Sequence, residues 1–277
     1  MKQGHWHWAA IAAVSTFAIS TAAVANHAWS TYHWKKTGAE ATPPVVTALS
    51  GLWPSHANIA IQDWNQSNVI QSPGPTLASG TNPKTCKAQA GKILVCNERY
   101  GRNGWLGIAS IWLSGGHISQ GTTKLNDSYF GSSPYNTNDW RQLVACQEIG
   151  HDYGLGHQDE DFSTDDTNSC MDYTSLPAGN THPDNHDYQQ LQDIYDHTES
   201  SFTMLAPGQK GGSSGVDTSL AGAESGDGPP AWGRAVHYDR QGRPDYFVQE
   251  LGGGKKKVTH VLWAIGEGPK GGQHSDH

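Results

Sequence analysis

Charged side chains are scarce in this chain: Asp, Glu, Lys and Arg make up 16% of its 277 residues. Cations are the scarcer sign, with 18 Lys and Arg against 26 Asp and Glu and a net charge of -8. That balance lacks the basic footprint that phosphates require, so no nucleic-acid partner is expected. Beyond the first 25 residues no run is long and apolar enough to cross a bilayer. There is no repeat of fixed period. The one G-x-S-x-G match, Gly211–Gly215, falls in a Gly- and Ser-rich stretch and not between a strand and a helix, which removes the common serine-hydrolase reading.

The N-terminus is different. Lys2 and two histidines precede an apolar run from Trp8 that ends in Ala23-Val24-Ala25, an A-x-A pattern. Residues 1–25 are therefore read as a secretory signal, and the protein as secreted, with no membrane association once the signal is removed. Ser15, Thr16, Ser20 and Thr21 weaken the rival reading of a retained anchor. The four cysteines are Cys86, Cys96, Cys146 and Cys170. An even number suits two bridges in an oxidising compartment, and four cysteines allow three pairings. The preferred pairing is Cys86–Cys96, a short local loop, with Cys146–Cys170.

The apolar pattern predicts an α+β chain with its main domain over 26–205. It gives an aromatic segment at Trp29–Trp34, a helix around Ser55–Asn65 and strands at Ile93–Asn97 and Gly104–Leu113. The Thr-rich stretch from Ile118 to Asn126 suits an edge strand. Asn136 to Asp139 then caps a helix that should run from about Asp139 to Tyr153 and stop at Gly154. A further helix is expected from Pro183 to His197. Residues 206–230, rich in Gly, Ser and Pro, read as a linker. The segment 231–277 reads as short strands at Ala235–His237, Tyr246–Leu251 and Val258–Ala264, forming a small module or an extension of the main sheet. Its end, from Gly266, is expected to be disordered. Lys255–Lys257 is read as a solvated turn. The tryptophans at 53, 64, 105, 112 and 140 are read as core.

The chemistry concentrates in Cys146-Gln147-Glu148-Ile149-Gly150-His151-Asp152-Tyr153-Gly154-Leu155-Gly156-His157. Residues 147 and 151 lie one helical turn apart, so their side chains share a face. Gly154 permits the turn that lets His157 swing back to the same point. Three ligands would leave zinc a position for water, and Glu148 is placed to take its proton. Shortly afterwards comes Ser169-Cys170-Met171-Asp172-Tyr173.

With His at 147 the stretch would read H-E-x-x-H-x-x-G-x-x-H, and the chain resembles the metzincin zinc proteases, nearest to the matrixin-like bacterial secreted type. The resemblance covers roughly Trp29 to Ser200, with specific motifs only in 146–173. It implies a twisted mixed sheet, an active-site helix and a C-terminal helix. It also implies a Met-turn at Met171, and Ile118–Leu125 as an edge strand that holds an extended peptide. Cys146–Cys170 would then staple the zinc helix to that turn. Tyr173 falls where some members carry a tyrosine near the zinc. Three roles are open to it: fourth ligand, hydrogen-bond donor to the tetrahedral intermediate, or ordinary buried tyrosine.

Gln147 departs from the signature, since an amide oxygen is a neutral and harder donor than imidazole. Either Gln147 ligates zinc beside His151 and His157, or Tyr173 or another group completes the site, or the metal is lost. The expected function is accordingly a secreted zinc endopeptidase acting on protein or peptide substrates, with an inert peptide-binding protein on the same scaffold as the alternative. The acidic stretch 158–166 is a candidate calcium loop beside its plainer reading as a solvated segment. His117, His182 and His186 are read as surface histidines. Substrate specificity and oligomeric state are not encoded in any recognisable motif.

Overall fold

The structure is a computed structural model that describes Met1 and residues 27–36, 38–162, 168–197 and 228–269. The expected signal, the linker residues 206–227, positions 163–167 of the acidic stretch and the tail from 270 lie outside the described residues. The elements run in chain order as β1 (His33–Trp34), β2 (Val45–Ala48), α1 (Trp53–Trp64), β3 (Thr76–Leu77), β4 (Ile93–Glu98), β5 (Trp105–Ser114), β6 (His117–Asn126), α2 (Asn138–Asp152), α3 (Asn185–Tyr195), α4 (Pro229–Trp232), β7 (Arg234–Tyr238), β8 (Pro244–Gly252) and β9 (Lys255–Trp263). The class is α+β, as the pattern predicts.

All the strands belong to one sheet of mixed orientation, in the order β3-β2-β4-β6-β5-β9-β8-β7, with β1 pairing the start of β6. Strands β2, β4 and β6 run parallel, whereas β5 is antiparallel to both β6 and β9. Two expectations need correction here. The stretch from Ile118 to Leu125 is not an edge strand, because it pairs β4 on one side and β5 on the other. Its threonines fit an interior strand because Thr122 and Thr123 are buried, and Thr123 Oγ1 donates to Asp152 Oδ2 at 2.8 Å. The Lys255–Lys257 stretch is not a solvated turn but the start of β9. Lys257 is buried over the Trp112 ring, and its ammonium donates to the Ala231 carbonyl.

The strands beyond 231 extend the main sheet through the β5–β9 pairing and form no separate module. Among the last described residues, Gly266 to Pro269, Glu267 is tied to the domain: Tyr129 donates to its Oε2 at 2.7 Å, and its carbonyl accepts from Arg243. Residues 228–230, read as the end of the linker, cap and open the short helix α4.

Helix α2 lies against β5 and β6 and against α1. Its start is fixed by Thr137, whose hydroxyl accepts from the Trp140 amide at 3.2 Å. Its end is fixed at Gly154, where φ is +99° and an added Cβ would meet the Tyr32 carbonyl. Helix α3 opens with a capping box between Asp184 and Asp187. The tryptophans read as core are all buried. Trp64 binds α1 to α2 by donating from Nε1 to the Cys146 carbonyl at 3.0 Å. Truncating such a side chain costs about 3–5 kcal/mol. Both expected disulfides form, Cys86–Cys96 and Cys146–Cys170. The second joins the middle of α2 to the turn at 169–172.

Candidate metal centre

Three histidine rings meet at the sheet-facing side of α2. The centroids of His151 and His260 lie 4.1 Å apart, those of His157 and His260 4.5 Å, and those of His151 and His157 4.8 Å. Each offers a ring nitrogen to a common point, the three donor atoms lying within 4.8 Å of one another. His151 comes from the last turn of α2 and His157 from the chain after Gly154, as the spacing predicts. His260 comes from β9. Strand periodicity places it on the same face as Val258 and Leu262, which pack into the core that contains α2.

The free valences of these rings point to a cation. His151 Nδ1 lies 2.8 Å from the Leu155 carbonyl. A carbonyl only accepts, so in the neutral ring Nδ1 carries the proton and Nε2 keeps its lone pair. His151 Nε2, His157 Nε2 and His260 Nδ1 are buried with no hydrogen-bond partner among the described residues. Buried polar atoms are seldom left so, and three converging lone pairs suit a metal ion. Burial, then His157, lowers the His151 pKa well below its usual range; burial, then His151 and His157, does the same for His260. Both rings are thus held neutral, the form a metal requires.

Glu148 stands beside them. Its Oε2 lies 3.5 Å from His260 Nδ1, and neither carboxylate oxygen has a hydrogen-bond partner among the described residues. Burial, then Asp152, pushes its pKa well up when no cation is present. Space for the carboxylate is made by Gly107 on β5. A Cβ there would come within 2.5 Å of Glu148 Oε1 and 2.8 Å of its carboxyl carbon. The β5–β9 ladder shifts register next to this glycine, between Trp105 and Gly107.

Gln147 shares the α2 face of His151. Its amide nitrogen donates to the carbonyls of Cys170 at 3.0 Å and Asp172 at 3.1 Å, and Oε1 is buried without a hydrogen-bond partner among the described residues. Met171 is fully buried, and its sulfur packs against Gly150, where a Cβ would lie 2.6 Å from Sδ. The turn itself is tied by Ser169, whose hydroxyl accepts from the Met171 amide and donates to Asp187. Tyr173 stacks on Phe162, and its ring lies 4.1 Å from that of His157. Its hydroxyl donates to Asp245 Oδ2 at 2.7 Å and lies 3.2 Å from His260 Nε2.

A cleft of about 450 Å³ opens onto His157 and His260 between the segment 27–32 and strands β7 and β8. Trp29, Tyr246 and Val236 give it apolar walls. Trp29 also stacks on His151, with ring centroids 4.9 Å apart. At its mouth Glu160 and Asp245 stand near His157 and form a second group able to hold a cation. Within the acidic stretch, Asp161 pairs with Arg240. Of the surface histidines, His182 is an exposed partner of Asp63, and His186 lies against His27.

His260 is the residue that sequence reasoning misses. Its signal is weak: one histidine after Thr259 inside the otherwise apolar run Val258–Trp263, in a segment far from the motif. No protein-family model matches this chain, and no curated protein matches it in sequence.

Proposed function

We propose that the protein is a secreted metal-dependent peptide hydrolase on a metzincin-like scaffold, with zinc held by His151, His157 and His260. The place in the signature left open by Gln147 is filled from β9. The observation that carries this reading is the convergence of three imidazole nitrogens beside a glutamate, all buried and without a hydrogen-bond partner among the described residues. Three nitrogen donors suit zinc, and they fit it better than a set completed by a neutral amide oxygen. Gln147 instead ties α2 to the Met171 turn through its amide N–H groups.

A bound zinc ion supplies Lewis acidity, which polarises a scissile carbonyl and acidifies water. The rest is the work of the chain. With a cation held beside it, Glu148 would be the general base and would hand the proton to the leaving amine. Gly107 leaves the carboxylate room beside the ligands. Met171 and the Cys146–Cys170 bridge hold the floor beneath α2. The two disulfides suit the oxidising compartment of a secreted protein. A peptide reaches the centre through the cleft beside Trp29, because β9 already occupies the free side of β5.

The inert binding-protein reading has one observation in its favour: Glu148 is fully buried and does not line the cleft. Chelator-sensitive cleavage of a generic protein substrate separates the two. Cleavage abolished by chelator and restored by zinc supports the hydrolase. A zinc-loaded, folded protein that cleaves nothing supports the inert module.

A further inference from the structure

Resting on the metal reading above, we infer that Asp245 and Tyr173 form a proton-ordered chain that fixes the tautomer of His260 and so presents Nδ1 as its ligand atom. The argument is one of donors and acceptors. A phenol has a single proton to give, and a carboxylate can only accept. Tyr173 stands between Asp245 Oδ2 at 2.7 Å and His260 Nε2 at 3.2 Å. Its proton therefore goes to Asp245. The hydroxyl oxygen that faces His260 is left as an acceptor, and the ring must carry its proton on Nε2. The lone pair of a neutral His260 then sits on Nδ1, the nitrogen without a partner and the one 3.5 Å from Glu148.

The carboxylate at the head of the chain is itself held. His237 Nδ1 lies 2.9 Å from Asp245 Oδ1, and Asp245 is buried. Phe162 stacks on the Tyr173 ring at 5.0 Å and keeps the phenol in place. Tyr173 is thus a positioning residue that acts through His260. Metal-binding histidines generally depend on such a partner on their other nitrogen. Here the partner is a tyrosine whose polarity is set by an aspartate one step further out.

This ordering makes an unusual forecast. Removing Asp245 frees the phenol proton to turn toward His260 Nε2, which drives the proton of the ring onto Nδ1 and blocks the ligand atom. Removing the hydroxyl only relaxes the choice. Asp245→Ala should therefore weaken zinc binding by about 100-fold and Tyr173→Phe by about 10-fold. The double variant should return to near the Tyr173→Phe value. Additive losses, or a larger loss for Tyr173→Phe than for Asp245→Ala, overturn the proposal.

A readout independent of metal and of activity is the nitrogen-15 spectrum of the His260 ring in the metal-free wild-type protein. A protonated Nε2 and an unprotonated Nδ1 are expected, with a mixture of the two forms in Tyr173→Phe. The Nδ1-protonated form in the wild type overturns the proposal even if Asp245→Ala does not fold. A folded wild-type protein that shows the Nε2-protonated form but binds no zinc overturns the metal reading and leaves the ordering chain standing.

Discussion

Helix α2 with its following turn and strand β9 both deliver histidine to one point, but by different physics. In α2 the delivery is local. His151 is placed by helical periodicity, and His157 by a turn that Gly154 allows, so the seven residues 151–157 define two of the proposed ligands. In β9 the delivery is global. His260 faces the centre only because β9 pairs with β5 in a register that sets His260 opposite Ala109, with Val258 and Leu262 on the core side. A local device is encoded in spacing, whereas a ladder contact depends on which strand finds which edge.

The contrast can be broken most sharply at Glu148. Glu148→Ala should lower kcat/KM by about 10²–10⁴-fold with zinc content unchanged, read by peptide hydrolysis and metal analysis. Loss of zinc in that variant would move Glu148 from base to ligand. Next come the two rival donors. His260→Ala should weaken zinc binding by at least about 100-fold, and Gln147→Ala by less than about 10-fold, in competition titrations with a chelator. The reverse order would return the third ligand to α2. Replacing Cys146 and Cys170 together by Ser should destabilise the fold by about 2–5 kcal/mol in denaturant titrations, because the bridge closes the loop carrying His157.

A smaller effect is expected at Gly107. Gly107→Ala forces a methyl group against the Glu148 carboxylate. It should cost about 1–3 kcal/mol of stability and lower activity without lowering zinc affinity. A neutral substitution would show that the register shift absorbs the methyl group.

The gentlest test is pH. In the metal-free protein His151 and His260 titrate below their ordinary 6.5, while Glu148 and Asp152 titrate above their ordinary 4.5 and 3.8. Below 6.5 the unfolded histidines bind protons that the folded ones refuse, so stability falls as pH falls. Above 4.5 the unfolded carboxylates release protons that the folded ones keep, so stability falls as pH rises. The two slopes oppose each other between 4.5 and 6.5, which gives a plateau with a decline on either side. Glu148→Gln should flatten the alkaline decline in thermal melts across pH.

Much of the fold follows from particular residues. The apolar start of the run at 93–97, the Thr137 cap and the Asp184 capping box place β4, α2 and α3 within a residue or two of expectation. Of the three possible cysteine pairings the preferred one, with Cys86–Cys96 as a short local loop, is the one that forms. Strand neighbours are less legible. Thr-rich β6 looks like an edge because its polar side chains find buried partners such as Asp152, which no local pattern displays. Lys257 looks solvated because its ring and carbonyl partners come from β5 and α4.

By itself the sequence determined the helix, the turn, two of the proposed ligands and the glutamate just before them, since these depend on spacings shorter than a dozen residues. Tertiary structure alone decided the third imidazole, the room for Glu148 beneath Gly107, and the chain from Asp245 through Tyr173 to His260. Each of these is a contact across a sheet or between segments distant in the chain. Such contacts are set by strand pairing and burial, which are properties of the assembled core.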